Sequence, residues 1–263
     1  MTQRQPARPE AKVALVTGGG TGIGAAVARR LASDGFRVCV TGRRREPLEA
    51  VAAEIGGLAL GADTSNEEEV ARLVAAVAEQ LAPVSALVCC AGASAGGTVL
   101  EQTLERWQRV LATNLTGIFL VCRAALPQLI ETRGAIVTIS SLGGLRAAPA
   151  SAVYAASKAG LVMLTQCMAL DHGPQGVRAN CVCPGWIRTA MADAAMEKLG
   201  PSRDDAYARV SRVNPLRRPG VPEEVAGVVA WLLSPDAAYV NGALLSVDGG
   251  VGCLDAASAE FVA

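Results

Sequence analysis

Short β-branched runs alternate with longer Ala/Leu-rich amphipathic stretches along nearly the whole chain, and this alternation limits its fold more than any other feature. Strand-like segments fall at 12–17, 37–41, 57–61, 86–90, 134–140, 177–182 and 243–247. Helix-like segments fall at 22–33, 46–55, 66–81, 104–130, 151–172 and 223–233. Asn66 is a natural cap for the third helix, with three glutamates in the first turn that follows. Alternation repeated this often predicts an α/β protein with a parallel, doubly wound sheet in a single domain. The composition agrees, because Ala, Val, Leu and Gly dominate and aromatics are only 3%, which suits helices packed closely on a parallel sheet. No linker or repeat interrupts residues 11–250. The stretch 184–222 is the least regular and carries five prolines. Long excursions after strand ends tend to cover ligands, so a substrate lid is expected over about 186–221. A flexible N-terminus (1–10) and a C-terminal tail (251–263) flank the domain.

The net charge is formally zero and no basic stripe appears, so no nucleic-acid partner is expected. The polar segment 1–10 lacks the apolar core of a signal peptide. No continuous run approaches the roughly 18–20 apolar residues of a membrane span. A soluble, cytoplasmic protein without a membrane partner is therefore expected. Eight cysteines are scattered without a Cys-x-x-Cys pair, and there is one histidine, His172. Buried reduced thiols are expected rather than a metal site.

Between the first strand and first helix lies Thr17-Gly18-Gly19-Gly20-Thr21-Gly22-Ile23-Gly24. Glycines here permit a tight turn and let backbone N–H groups approach a pyrophosphate at a helix N-terminus. The spacing Thr-Gly-x-x-x-Gly-x-Gly differs from Gly-x-Gly-x-x-Gly, and no Gly-Lys-Ser/Thr follows, so it is not a Walker loop. Gly18, Thr21, Gly22, Ile23 and Gly24 are the expected contacts. The second strand ends in Thr41-Gly42-Arg43-Arg44-Arg45. An acid at this position selects NAD through the ribose 2′-hydroxyl, whereas arginine accommodates a 2′-phosphate. NADP(H) is thus the expected cofactor, with Arg43 the chosen contact and NAD(H) possible. Asp63, ending the third strand, is placed to bond the adenine amino group.

Tyr154 and Lys158 stand four residues apart, on one face of a helix. A phenol ordinarily titrates near about 10. An ammonium beside it favours the phenolate, which would make Tyr154 a usable general acid or base.

In combination, Thr17–Gly24, Asp63, Ala91-Gly92, Asn114, Ser141, Tyr154 with Lys158, Pro184-Gly185, Thr189 and Val247-Asp248-Gly249-Gly250 resemble the short-chain dehydrogenase/reductase family. The likeness is to its roughly 250-residue single-domain Rossmann form, of the 3-oxoacyl-carrier-protein reductase type, and runs from about Lys12 to Gly250. It implies an NADP(H)-dependent ketoreductase interconverting a ketone and a secondary alcohol. Tyr154 would then be the acid/base and Ser141, rather than Ser140, would bond the reacting oxygen. Lys158 would tune Tyr154 and bond the nicotinamide ribose, and Asn114 would anchor a water that passes protons to Lys158. Ala91 and Gly92 would meet the adenine ribose, while Pro184, Gly185, Ile187 and Thr189 would hold the nicotinamide. One position departs from the pattern: Cys90 stands where the family usually has Asn, which predicts looser bonding after the fourth strand. The resemblance also implies a homotetramer or homodimer built on the two long helices, with Ala155, Ala159 and Val162 offering a small apolar face.

Trp107 and Phe119 are read as packing residues, His172 as a helix-end or surface residue, and Trp186 as a wall of the substrate pocket. The substrate, a small carbonyl or alcohol, would be selected by residues 94–99, 143–151 and the lid, whose arginines at 188, 203, 209, 212, 217 and 218 are read as solvated. Two other readings share the fold: an NAD-dependent secondary-alcohol or dihydrodiol dehydrogenase, and a non-catalytic nucleotide sensor.

Overall fold

The computed structural model describes residues 12–255; the N-terminal segment 1–11 and the tail beyond 255 lie outside the described residues. Seven strands, β1 (Val13–Thr17), β2 (Arg37–Gly42), β3 (Leu58–Gly61), β4 (Ala86–Cys89), β5 (Ala135–Ile139), β6 (Arg178–Pro184) and β7 (Leu244–Val247), form one sheet in the order β3-β2-β1-β4-β5-β6-β7. Every neighbouring pair is parallel. Central strands β1, β4 and β5 are buried at every position, which is why they read as unbroken apolar runs.

Helices cover both faces. On one face α1 (Gly22–Ser33), α2 (Arg45–Ile55) and α9 (Pro222–Leu233) pack on Ala14, Val16, Val38, Val40, Val88 and Val137. On the other, α3 (Glu67–Gln80), α5 (Gly117–Glu131) and α6 (Ala152–His172) pack on Leu15, Cys39, Leu87 and Ile136. The Asn66 cap forms as expected, its side chain accepting from the Glu69 N–H at 3.1 Å. Strand order reverses at β1, whose neighbours are β2 and β4. The C-terminal ends of β1 and β4 therefore open the crevice in which ligands of such sheets bind.

The expected continuous helix 104–130 is instead α4 (Leu104–Leu111), a widened π turn at Ala112–Thr116, and α5. The apolar periodicity runs straight through, so a one-residue widening leaves little mark on the pattern. The lid contains two short helices, α7 (Ala190–Met196) and α8 (Arg203–Arg212), capped by Thr189 and Ser202. Met196, Ala206 and Tyr207 give them a small core of their own.

Side-chain burial corrects several expectations. Val162 faces the sheet against Cys181 and Cys183, so it cannot belong to an outward face; the outer stripe of α6 is Ala156, Ala159, Met163, Cys167 and Leu170. Phe119 is an exposed residue under the Arg123 guanidinium, 5.3 Å from its ring centre, not a core residue. Cys167 and Cys253 are exposed thiols. Trp107 is half-buried, and His172 ends α6 with its Nδ1 2.8 Å from Gln175 Oε1. Two helical stretches, Leu104–Glu131 and Ala152–Gln175, have the length and mean hydropathy of a membrane span although no continuous apolar run does. Each buries one side on the sheet.

Candidate active site

The glycine turn after β1 is anchored by β2, since the Gly18 and Gly19 N–H groups both donate to the Thr41 carbonyl, at 2.8 and 3.3 Å. Gly18 and Gly22 have φ of 65° and 55°, a region L side chains rarely adopt. A Cβ at Gly24 would lie 2.2 Å from the Gly18 oxygen, and one at Gly18 2.9 Å from the Ala91 backbone. The turn thus brings its own backbone, the start of α1 and the loop after β4 into a contact that admits no side chains. Ile23 points the other way and packs on the apolar cluster beneath α1.

Thr17, which opens the glycine motif, has a role beyond the turn itself. Its buried Oγ1 accepts from the N–H of Cys90 at 3.1 Å and of Ala91 at 3.2 Å. The loop after β4 is therefore held from β1 through backbone N–H groups, independently of the Cys90 side chain. Desolvation pushes the Cys90 thiol up to about 11, so it stands neutral.

At the end of β2, Arg44 donates to Thr21 Oγ1 at 3.2 Å, which ties a second arginine to the turn besides the expected Arg43. Asp63 accepts from the Ser65 hydroxyl and N–H at 2.7 and 2.9 Å. Those two bonds, with a smaller contribution from the nearby Arg43 charge, hold its carboxyl below the usual carboxylate range.

The four expected catalytic residues gather at the C-terminal ends of β4 and β5. The π turn buries Asn114 completely. Asn114 Oδ1 accepts from the Ala93 N–H at 2.7 Å, and its Nδ2 donates to the Ala93 carbonyl at 2.9 Å and to Ser157 Oγ at 3.0 Å. π turns of this kind recur at functional sites. Lys158 is 4% exposed, and its Nζ donates to the Ile139 carbonyl at 2.8 Å. An ammonium has three donors, so two remain for other partners. Lys158 Nζ and Asn114 Oδ1 each lie 3.7 Å from where a Gly92 Cβ would stand, with Gly92 leaving the space open between them. The ammonium is 5.9 Å from the centre of the Tyr154 ring.

The two serines after β5 do different jobs. Ser140 Oγ is buried and donates to the Lys158 carbonyl at 2.9 Å, tying β5 to α6. Ser141 Oγ, half-buried, accepts from the Gly143 N–H at 3.0 Å. It and the Tyr154 ring edge are both 3.5 Å from a Cβ built on Gly143, so they border the same small space. The choice of Ser141 over Ser140 fits this division.

From β6, Gly185 donates to the Val247 carbonyl at 3.0 Å. Ile187 is buried in the apolar cluster and pairs by backbone with Gly220, so only its backbone is free to face a ligand. Thr189 caps α7 and sets its methyl 3.2 Å from a Cβ on Gly22, which closes the lid base over the glycine turn. Trp186 lines a cleft of about 500 Å³ with Asn214, Pro215 and the Val247–Gly250 segment, and neither Tyr154 nor Ser141 lines that cleft. Three of the lid arginines read as solvated are ion-paired instead: Arg188 with Asp204, Arg203 with Asp193 and Glu197, and Arg218 with Glu224.

This arrangement fits a dinucleotide: a turn stripped of side chains, a buried ammonium with donors to spare, and a phenol and hydroxyl facing one space. Comparison with known proteins agrees. The family model described as enoyl-(acyl-carrier-protein) reductase matches residues 18–252. The chain is 37% identical to the meso-2,3-butanediol dehydrogenase of Serratia marcescens over 93% of its own length and 96% of that protein's. It is 36% identical to a short-chain dehydrogenase/reductase of Armillaria gallica, over 92% of its own length and 96% of that protein's. The solved structure of a point variant of actinorhodin polyketide ketoreductase with NADPH superposes with a TM-score of 0.90 at 38% identity, covering 95% of this chain and all of that one.

Proposed function

The chain belongs to the short-chain dehydrogenase/reductase family, its relatives include a butanediol dehydrogenase and a polyketide ketoreductase, and on that premise we propose that it is an NADP(H)-dependent ketoreductase in which Tyr154 moves the proton. The observation that carries this reading is the convergence of Ser141, Tyr154, Lys158 and Asn114 on the space beside Gly92 and Gly143.

When bound, the nicotinamide cofactor supplies or accepts the hydride. Gly18, Thr21, Gly22 and Gly24 would take its pyrophosphate at the start of α1, with Ile23 contributing backbone, and Ala91 and Gly92 its adenine ribose. Asp63 has a carboxylate in place for the adenine amino group. Pro184, Gly185, Thr189 and the backbone of Ile187 would hold the nicotinamide end. The donors of Lys158 not spent on Ile139 would hold the nicotinamide ribose. In the reducing direction, Tyr154 gives its hydroxyl proton to the carbonyl oxygen while that carbon accepts the hydride pair. Ser141 donates a hydrogen bond to the same oxygen and steadies its developing charge. A water anchored at Asn114 would pass a proton to Lys158 and so restore Tyr154. The alcohol direction reverses each transfer.

The NADP(H) preference rests on Arg43 and Arg44, since no acid ends β2 and Arg44 is already tied to Thr21. The NADPH of the related ketoreductase structure supports it. NADPH titration against NADH tests it: Arg43→Ala and Arg44→Ala should each weaken NADPH alone, and equal affinity for both cofactors in the native enzyme would favour the NAD-dependent reading. A panel of ketones with NADPH, and of secondary alcohols with NADP⁺, tests the reaction. Absence of turnover in both directions across the panel would leave the non-catalytic reading standing.

We place the protein in the cytoplasm, as a homo-oligomer joined through the outer sides of α4, α5 and α6. The exposed apolar residues Leu104, Phe119, Met163 and Leu170 support that surface.

A further inference from the structure

A cleft of about 450 Å³ lies over the loop that follows Ala93, lined by Ser94, Ala95, Gly96, Gly97, Arg106, Arg109 and Lys198. Its walls carry three cations and no acid. Arg106 and Arg109 are three residues apart on α4 and so share a face. Lys198 reaches the cleft from the turn after α7. Among the described residues none of the three forms an ion pair, in contrast to Arg188, Arg203 and Arg218 of the lid. Glu101, which feels the Arg106 charge, spends its Oε2 on the Thr98 N–H and hydroxyl at 2.7 and 2.9 Å.

The floor of the cleft joins the catalytic groups directly. Ala93 is bonded through both its N–H and its carbonyl to Asn114, and Ser94 follows it. At the far end the Gly97 N–H donates to the Ala150 carbonyl at 2.7 Å, and Gly97 bridges to Ser151, one residue before the helix that carries Tyr154. Gly96 leaves part of the floor without a side chain, whereas the Gln102 and Glu101 side chains close over Gly97, whose Cβ would lie 2.8 Å from Gln102 Nε2. The loop that floors the cleft is thus tied at one end to Asn114 and at the other to the start of the helix that carries Tyr154.

We propose that Arg106, Arg109 and Lys198 form a subsite for an anionic group, a carboxylate or a phosphate, borne by the ketone or alcohol substrate. The inference rests on the reading of Tyr154 and Ser141 as the reacting centre. Guanidinium groups bind both anions through paired donors, and a cationic cleft also raises the local concentration of an anion before it docks.

Two matched pairs test it: acetoacetate against ethyl acetoacetate for the carboxylate, and dihydroxyacetone phosphate against dihydroxyacetone for the phosphate. In at least one pair KM should be lower for the anion, by about tenfold or more, with similar kcat. That advantage should shrink as salt rises. In the triple variant Arg106→Gln/Arg109→Gln/Lys198→Gln the KM ratio of the pair should collapse towards one, whereas Arg72→Gln on distant α3 should leave the ratio as it is. Equal KM values within both pairs, or an advantage that survives the triple substitution, would overturn the subsite. Calorimetric titration of acetoacetate and dihydroxyacetone phosphate into the native and triple-variant proteins separates the two ideas. Binding lost only in the variant supports the subsite even if neither compound turns over, a result that would fault the redox reading alone. Equal binding to both proteins, or none to either, refutes the subsite.

Discussion

Gly24 shows how narrow the tolerances of this site are at the scale of one residue. A methyl group there would sit 2.2 Å from the Gly18 oxygen, backbone against backbone, with nothing flexible to yield. Gly24→Ala should therefore raise the NADPH dissociation constant by well over tenfold, read by fluorescence titration, whereas Gly35→Ala, which has open space but a φ of 88°, should cost only stability, of about 1 kcal/mol. Ser140 and Ser141 make a second contrast. Ser140→Ala removes the tie to the Lys158 carbonyl and should lower the unfolding free energy by about 1–2 kcal/mol; Ser141→Ala should lower kcat with little change in stability. Residues of this kind were legible in the sequence because glycine turns and the Ser, Tyr, Lys set have fixed spacings. The partners of Thr17 were not, since holding two N–H groups of the loop after β4 leaves no spacing to read. Nor were Arg106 and Arg109, which look like ordinary solvated helix charges until α7 brings Lys198 opposite them.

Among the elements, the π turn at Ala112–Thr116 bears most directly on the site. It directs Asn114 inward, where three hydrogen bonds engage both donors and one acceptor site of its amide group against Ala93 and Ser157. Asn114→Ala would strand those partners in a buried place, and a loss of about 2–4 kcal/mol in thermal or denaturant unfolding is expected along with the loss of activity. The lid base behaves differently. Glu224 is held down to about 2, first by its bonds to Arg218 and next by the Val221 N–H. A depressed carboxylate contributes stability above its unfolded value, near about 4.3, and loses it as pH falls towards the folded one. Because the pair is largely exposed, solvent screening keeps its worth small. Glu224→Gln should accordingly flatten the stability profile slightly between the usual glutamate range and pH 2. Apolar periodicity made the long helices and all seven strands legible to within a residue or two. It could not reveal α7 and α8, which are short and rest on a small core of Met196, Ala206 and Tyr207 with Ala192 and Val210 against it, nor the widened turn inside an unbroken apolar pattern.

For the whole molecule, strand–helix alternation alone predicted a parallel doubly wound sheet, and because every strand pair is parallel the motifs that follow strands all fall at the C-terminal ends of that sheet. Assembly was less legible, because sequence cannot tell which side of an apolar helix meets the sheet: Val162 turned inward, and Met163 and Leu170 outward. A charge placed on that outer stripe, Leu170→Arg, should shift the sedimentation of the protein towards a lone 27 kDa species; a native protein that already sediments so would remove the proposed interface. The central claim is that one phenol moves the proton in a site otherwise built to hold a cofactor. Turnover of Tyr154→Phe, measured with NADPH binding monitored in the same sample, tests it most directly. The account predicts a fall in kcat of about 10²–10⁴-fold or more with NADPH affinity close to that of the native enzyme, and a variant that still turned over at the native rate would contradict it.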